Sequence, residues 1–245
     1  TTPPAADASP AEAPNAAPPE QPVEKRAPAS YPLRRARLVY DLMYGFGGAI
    51  AGRVVHTLAI EDGSYRLETV AEPTGLLALF YGGRYLQRSR GHLGPDGFVP
   101  DEYLVMRGKE SRTETAAFDW TAHKVIFRRS GETHAAELPP GVQDTVSMLH
   151  QFYYLQPLAH SSRLRLSTAR KLYDSAYEVI GEETIETPLG PIRTIRIRRH
   201  EEDADRIDLW IDPSRYWLPM RIYYEDRKKN VLEQTIREYE VEPAS

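Results

Sequence analysis

The chain has 245 residues, a formal net charge of −4 at pH 7 and no cysteine. The small negative charge argues against a nucleic-acid binder, and the missing cysteines exclude disulfides, thiolate metal sites and cysteine nucleophiles. The sequence has no run of about 18 apolar residues, so we predict that the folded part does not span a membrane as a helix. A β-rich chain of this length often forms a single domain.

Residues 1–32 form a compositionally distinct arm. They hold nine of the 20 prolines and nine alanines, with almost no large apolar side chain beyond Val23. Such a segment cannot bury enough apolar surface to offset the entropy of ordering its backbone, so we predict a disordered linker. At about 3.1 Å per residue in polyproline II form, it would reach roughly 90 Å. It is either a tether or a plain unstructured terminus. Because the chain begins at Thr1 without Met, we expect a signal peptide or membrane anchor to have preceded it.

Residues 33–245 are predicted to form one β-rich domain. In residues 206–212, Ile207, Leu209 and Ile211 alternate with other side chains, which is the period of two of a strand. Turn signals such as Asp62-Gly63 separate many similar segments. Short strands at hairpin spacing indicate an antiparallel curved sheet that forms a barrel or half-barrel.

Two segments depart from the strand pattern. Residues 144–155 are predicted to form one inserted helix, with Asp144 as its N-cap and Val146, Leu149 and Phe152 at helical spacing. Residues 75–81 are a short apolar run that is either a buried strand or one to two helical turns, since periodicity cannot separate the two at this length.

Motifs for catalysis, cofactors and metals are missing. The glycines at 45–48 have neither the spacing nor the following helix of a nucleotide site, and no Gly-x-Ser-x-Gly motif occurs. The seven histidines lie far apart, and the acidic residues at 201–205 lack the glycine and closing glutamate of a calcium loop. The best catalytic arrangement is Asp144, Ser147 and His150, whose first two members are explained as a cap and a helix hydroxyl. We predict no enzyme, no cofactor and no metal site.

Arginine is abundant, with 25 arginines against six lysines. Arg196 and Arg198 fall on the same face of one predicted strand and are the candidates for binding an anionic headgroup, because the guanidinium fork matches phosphate geometry. Acidic residues follow at 201–203, so the alternative is a solvated surface in which these charges neutralise each other.

A series of short motifs follows in a fixed order from about Tyr40 to Tyr239. They are Tyr40…Gly48…Gly52, Asp62-Gly63-x-Tyr65, Thr74-Gly75-Leu76-Leu77, Ser89-x-Gly91, Phe118-Asp119-Trp120, Gly141-x-Gln143-Asp144-x-x-Ser147, Trp210-Ile211-Asp212, Leu218-Pro219 and Glu233-Gln234. In this order they resemble the bacterial envelope family known as domain of unknown function 3108. Each motif is a turn or cap that other folds also use. We therefore expect a structural role for Gly75, Gln143, Asp144, Ser147, Trp210, Asp212 and Pro219.

The resemblance implies a location but no activity. Proteins of this family are generally exported, and some carry an N-terminal membrane segment followed by a Pro-rich stretch, which residues 1–32 resemble. It therefore implies a periplasmic protein. By looser analogy, the fold is similar to the periplasmic lipoprotein carriers, in which a half-barrel wraps an apolar cavity.

Two functions follow as hypotheses. The first is a non-catalytic binding module whose half-barrel holds a lipid or another apolar envelope ligand. Its candidate lining is Leu76, Leu77, Leu79, Phe80 and Tyr81, facing Met148, Phe152 and Leu155. The alternative for these side chains is that they simply fill the core. The second function is a tethered module that docks an envelope protein or the cell wall through the Pro-rich arm.

Overall fold

The structure is a computed structural model that describes residues 31–45, 49–75, 78, 83–108, 113–156, 158–199 and 205–244. Its strands are β1 (Leu33–Tyr44), β2 (Ala49–Glu61), β3 (Ser64–Pro73), β4 (Tyr85–Gly94), β5 (Gly97–Arg107), β6 (Thr113–Asp119), β7 (Lys124–Arg129), β8 (Glu132–Glu137), β9 (Gln143–Asp144), β10 (Ser161–Ser167), β11 (Leu172–Thr187), β12 (Gly190–Arg199), β13 (Arg206–Asp212), β14 (Leu218–Glu225) and β15 (Val231–Pro243). The described part also contains one α-helix, α1 (Ser147–Gln151). No helix within it is long and apolar enough to cross a membrane.

All strands belong to one sheet of 15 strands. The strand order is β8-β7-β6-β5-β4-β3-β2-β1-β15-β14-β13-β12-β11-β10-β9. All neighbours are antiparallel except β9 and β10, which are parallel. The sheet is curved but not closed into a barrel. The predicted antiparallel half-barrel is therefore confirmed.

The strands follow the predicted period of two. In β3, Tyr65, Leu67 and Thr69 are buried, whereas Arg66 is exposed and Glu68 is half-buried. Register shifts at Arg90/Gly91, Val179/Gly181 and Trp210/Ile211 interrupt the ladders. Such bulges bend a strand and increase its twist, which lets so long a sheet curl back on itself.

Side chains link the two halves of the sheet. The carboxylate of Glu114 on β6 accepts hydrogen bonds from Arg170 Nε at 2.7 Å and Nη2 at 2.6 Å. Arg170 lies in the turn between β10 and β11, and its carbonyl oxygen is 2.9 Å from His134 Nε2 on β8. These contacts bring the β10–β11 turn against the edge formed by β6, β7 and β8.

The predicted helix is real but much shorter than residues 144–155. It begins after Val146, which makes no side-chain cap, and spans only Ser147–Gln151. Asp144 stays extended because it pairs with Ser167 in the β9–β10 ladder. Its Oδ1 still accepts the N–H groups of Val146 and Ser147 at 2.8 and 2.9 Å, as a capping aspartate would. After Gln151, the N–H groups of Tyr153, Tyr154 and Leu155 bond three residues back in tighter turns.

Residues 138–156, which we call the inner segment, contact both halves of the sheet. Leu138, Val142 and Val146 belong to the main core, which also holds residues of β1–β7 and of β11–β15. A second apolar cluster joins the inner segment to β10–β13; it comprises Met148, Leu149, Phe152, Leu164, Leu166, Tyr177, Ile197, Leu209 and Ile211. The inner segment therefore fills the concave side of the sheet.

The structure describes only a few residues of the predicted arm and of the apolar run at 75–81. Tyr31, which the composition assigns to the arm, is buried in the main core. Of the apolar run at 75–81, only Gly75 and Ala78 are described, and the N–H of Ala78 donates to the carbonyl oxygen of Thr74 at 3.4 Å. Leu76, Leu77, Leu79, Phe80 and Tyr81 lie outside the described residues.

Gly91 gives a test of how tightly β4 approaches its neighbours. A Cβ atom there would lie 2.0 Å from the Val99 carbonyl oxygen and 2.9 Å from Pro100 Cα, both backbone atoms. We expect Gly91→Ala to lower the free energy of unfolding by about 1–3 kcal/mol, measured by urea denaturation followed by circular dichroism. Gly94→Ala is the matched control, because its Cβ would meet a movable Val99 methyl group at 3.0 Å. Equal losses in the two variants would contradict this interpretation.

Candidate functional site

A buried polar cluster connects the inner segment to β3 and β4. Ser89 Oγ donates to Asp144 Oδ2 at 2.5 Å and lies 3.0 Å from Tyr65 Oη. The Asp144 N–H donates to Ser147 Oγ at 3.0 Å. Tyr65, Ser89, Asp144 and Ser147 are all buried. Residues from three separate sequence motifs thus meet at one point.

Burial dominates the electrostatics of this cluster. It raises the pKa of Asp144, and the hydrogen bonds from Ser89, Ser147 and Val146 oppose that rise. Burial likewise raises the pKa of Tyr65, with a further contribution from Asp144. A carboxylate that accepts one hydroxyl and two backbone N–H groups is well satisfied, so the cluster fixes the inner segment against the sheet.

The catalytic arrangement considered from the sequence does not assemble. Ser147 Oγ donates to the backbone oxygen of Asp144 at 3.3 Å rather than to His150. His150 Nδ1 instead lies 2.8 Å from Tyr31 Oη. All four residues are buried. Among the described residues, no group of three or more His, Asp or Glu side chains is placed to hold a metal ion.

Two glutamines fasten the inner segment to the turn between β4 and β5. Gln143 Nε2 donates to the Phe98 carbonyl oxygen at 2.6 Å. Gln151 Oε1 accepts the Phe98 N–H at 3.0 Å, and its Nε2 donates to the Asp96 carbonyl oxygen at 2.7 Å. Gly97 makes room for this contact, since a Cβ atom there would lie 2.3 Å from Gln151 Oε1. Gln143, expected from its motif to be structural, therefore contacts backbone rather than an open site.

The predicted lining of an apolar pocket is only partly described. Met148 and Phe152 are buried in the second apolar cluster, and Leu155 is half-buried beside it. Their predicted partners at 76, 77, 80 and 81 lie outside the described residues. One groove of about 630 Å³ lies instead on the outer face of β2–β5. Charged side chains line much of it, including Glu61, Arg66, Arg90 and Glu102.

Arg196 and Arg198 lie on the face of β12 opposite to Ile197, which packs in the second apolar cluster. Both donate to Asp208, Arg196 Nη2 at 2.6 Å and Arg198 Nε at 2.8 Å, and Arg206 donates at 2.8 Å. Burial opposes ionisation of Asp208, but these three hydrogen bonds hold its pKa well below the usual range. The guanidinium groups are thus already paired with a buried carboxylate.

The remaining motif residues shape the β13–β14 hairpin. Trp210 lies between two guanidinium groups, with Arg196 Cζ 4.6 Å and Arg221 Cζ 5.5 Å from the ring centroid, and its Nε1 donates to Glu183 Oε2 at 2.9 Å. Asp212 Oδ1 accepts the Ser214 N–H at 2.7 Å and caps a short 3-10 turn. The Pro219 carbonyl oxygen accepts a hydrogen bond from Tyr40 Oη at 2.7 Å.

Gly75, the last of the motif residues, follows β3. It is exposed and has a φ of +57°, which favours glycine.

Sequence reasoning missed Tyr31, Glu114 and Asp208 as organising residues. Tyr31 lies in a Pro/Ala-rich segment whose composition hid it. Glu114 and Asp208 lie within strands, and five of their six arginine partners come from other strands or from a turn. A usable signal for Tyr31 was the large aromatic residue directly before Pro32 and the first strand.

Taken together, the fold and site define an open, barrel-like β-sheet module whose described part contains two buried apolar clusters. The model of the family described as a protein of unknown function (DUF3108) matches residues 39–233, and the chain belongs to this family. The resemblance noted in the sequence is therefore confirmed. The comparison with curated proteins gave no match.

The comparison with solved structures supports a barrel-like architecture through one of the two neighbours described here. The β-barrel-like protein of domain of unknown function DUF1849 from Brucella abortus aligns with a TM-score of 0.56 and 11% identity, covering 87% of this chain and 100% of that chain. At that identity the likeness concerns the fold alone. A "putative lipoprotein" from Parabacteroides distasonis aligns with a TM-score of 0.35 and 10% identity, covering 86% and 97% of the two chains.

The buried carboxylate predicts a difference between two substitutions. Asp144→Ala leaves one hydroxyl and two buried N–H groups without their acceptor, and we expect it to lower the free energy of unfolding by roughly 3 kcal/mol or more. Asp144→Asn should be much milder, because its carbonyl oxygen keeps both N–H groups and its amide donates to Ser89. Urea denaturation would measure both.

The control for Asp144 is Asp226→Ala. Asp226 Oδ1 also accepts two backbone N–H groups, from Lys228 at 2.8 Å and Asn230 at 2.9 Å, but in an exposed turn where water replaces the carboxylate. The loss there should be far smaller. If Asp144→Ala lowers the free energy of unfolding as little as Asp226→Ala does, burial of the Asp144 cluster does not make its hydrogen bonds more important for stability.

Two buried histidines predict an acid-sensitive fold. Burial lowers the pKa of His56 from 6.5 to about 4 and that of His150 from 6.5 to about 3. Their neutral forms stabilise the protein above pH 6.5, and this stabilisation is lost as the pH falls toward the folded-state values. Each histidine should contribute a slope of about 1.4 kcal/mol per pH unit in that range.

Because Asp144, Asp208 and Glu114 also titrate at acidic pH, the test is a comparison. Between pH 6.5 and 4, the unfolding free energy of His150→Phe should fall less steeply than that of the unsubstituted protein. The two slopes should differ by the contribution of one histidine, about 1.4 kcal/mol per pH unit. Parallel curves for the two proteins would show that His150 does not remain neutral in the folded state.

Proposed function

We propose that the protein is a non-catalytic interaction module of the bacterial periplasm, tethered by its Pro/Ala-rich arm and docking an envelope protein or the cell wall. The observation that carries this proposal is the burial of the described candidates for a pocket lining. Met148 and Phe152 are 5% and 1% exposed and pack in the second apolar cluster. Because these side chains contact other side chains of the core, we expect binding at the outer surface and through the arm.

The direction of β1 supports a tether. Strand β1 carries the chain from Leu33 to Tyr44, a distance of about 40 Å at roughly 3.4 Å per residue. In an antiparallel sheet, the β1–β2 and β3–β4 connections lie at the end remote from the arm. Exposed Tyr44 and Ile50 belong to that end. An arm rooted at the opposite end would present this end to a partner.

The periplasmic location rests on the family. The resemblance described in the sequence analysis implies that members are generally exported, and we extend this to the present chain. The lack of cysteine fits an oxidising compartment.

A lipid-binding function is the second candidate, and one observation favours it. The margin of the second apolar cluster includes half-buried side chains, among them Leu155, Leu158, Tyr173 and Trp217. Apolar side chains at such a margin suit an acyl chain, and the predicted lining residues Leu76, Leu77, Phe80 and Tyr81 lie outside the described residues. Arg196 and Arg198 face the other side of the sheet and would not meet this ligand.

Native mass spectrometry of the chain purified from a bacterial periplasm, followed by solvent extraction, separates the two candidates. The interaction module predicts a ligand-free mass and no lipid in the extract. A bound species of lipid mass that disappears in a folded Leu77→Asp or Phe80→Asp variant would overturn the interaction module in favour of the carrier.

Photocrosslinking in cells tests the docking end. With p-benzoylphenylalanine at position 50, we expect a defined envelope adduct that is lost when residues 1–30 are removed, although the melting temperature is unchanged because Tyr31 remains. Position 189 is the matched control. Leu189 is also exposed, and it lies in the β11–β12 turn at the end of the sheet where the arm joins β1. Adducts from position 189 but not from position 50 would place the partner at the wrong end for this proposal.

A further inference from the structure

The last residue before Pro32 is built into the interior of the protein. Tyr31 is 2% exposed, and its Oη lies 2.8 Å from His150 Nδ1 on α1. Its ring meets four other aromatic residues edge-on or stacked, with centroid distances between 5.0 and 6.0 Å; they are Phe98, His150, Tyr153 and Tyr154. Three of these four lie in the inner segment. Tyr31 thus contacts the inner segment far more than a linker residue would.

The inner segment itself has little backbone support of its own. Helix α1 has five residues and no side-chain cap at its N-terminus, and β9 contributes only two residues to the sheet. Helices this short are not stable alone, so its order depends on side-chain contacts from elsewhere. Those contacts include the Asp144 cluster, the two glutamines, the hydrogen bonds between Thr145 and the side chains of Gln87 and Tyr103, the packing in the two apolar clusters, and Tyr31.

Of these contacts, only Tyr31 is continuous with the arm. The backbone after it is fixed, because the Pro32 carbonyl oxygen accepts the Ala244 N–H at 2.9 Å and β1 begins at Leu33. Any displacement of the arm therefore acts on Tyr31 before it acts on the sheet.

We propose that Tyr31 is a latch that couples the arm to the inner segment. With Tyr31 seated, the hydrogen bond to His150 and the aromatic contacts hold α1 in the concavity. With Tyr31 withdrawn by a pull on the arm, α1 loses these contacts and the second apolar cluster opens locally, while the sheet stays folded. This inference holds whichever partner the module docks.

Hydrogen–deuterium exchange of the full chain tests the latch. Tyr31→Phe removes only the hydroxyl, and we expect amide exchange in residues 143–156 to rise about fivefold, as the loss of one buried hydrogen bond predicts. Tyr31→Ala should raise it further, with exchange in β2 and β3 unchanged. The control is Tyr40→Phe, which also removes a buried hydroxyl hydrogen bond, but one that is made to the Pro219 carbonyl oxygen on β14. Its effect should stay outside residues 143–156.

Coupling of this kind is reciprocal, which gives a second measurement. The chain has no cysteine, so a spin label at Ser30→Cys would be the only thiol-bound probe. Loosening α1 with His150→Phe should increase the mobility of that label in the electron paramagnetic resonance spectrum, and Tyr40→Phe should not. His150→Phe combined with Tyr31→Phe should add little to either single change.

The latch would be overturned by two results. One is unchanged exchange in residues 143–156 when Tyr31 loses its hydroxyl or its ring. The other is an equal rise across β2, β3 and the inner segment, which would make Tyr31 an ordinary core residue. If Tyr31→Ala does not fold, Tyr31→Phe and the label at position 30 decide the question.

Discussion

An open sheet of 15 strands must cover its concave apolar face, and the inner segment meets that need. A closed barrel has no edge strands, because its first and last strands pair with each other. This sheet instead ends in two short edge strands, β8 and β9. The inner segment places Val142 and Val146 in the main core and Met148 and Phe152 in the second apolar cluster. The interior is therefore a packed core, and this is the main reason to look for binding on the surface.

Because the inner segment has so little regular structure, polar side chains hold it in register. Asp144 reaches Ser89, and Gln143 and Gln151 reach the backbone of the β4–β5 turn. Each of these groups is buried, so each would be costly if left without a partner. Directional hydrogen bonds place the segment in one position, which apolar packing alone does not ensure. Tyr31 adds a contact that joins this position to the arm.

Several arginine side chains are held by ion pairs with two buried carboxylates. Glu114 accepts ion pairs from Arg107 on β5, Arg129 on β7 and Arg170 in the β10–β11 turn. Asp208 accepts ion pairs from two arginines of the neighbouring strand β12 and from Arg206 on its own strand. Burial alone would raise the pKa of Glu114, but hydrogen bonds from Arg170 and Arg107 lower it. These pairs join strands and turns across the sheet. Six of the 25 arginines thus pair with Glu114 and Asp208 without an anionic ligand, and two of them, Arg170 and Arg198, do so through forked hydrogen bonds.

The sequence by itself determined the class of fold, the strands and turns, and the family, because strand alternation and glycine or aspartate turns are local properties. It also singled out Asp144, Ser147 and Gln143 as structural residues. Only the tertiary structure decided that Asp144 lies in a strand, that α1 has five residues, and that Met148 and Phe152 fill the interior. It alone paired Arg196 with Asp208 and Tyr31 with His150. The physical reason is sequence separation: Tyr31 and His150 are 119 positions apart, and no local pattern encodes which distant groups a curved sheet brings together.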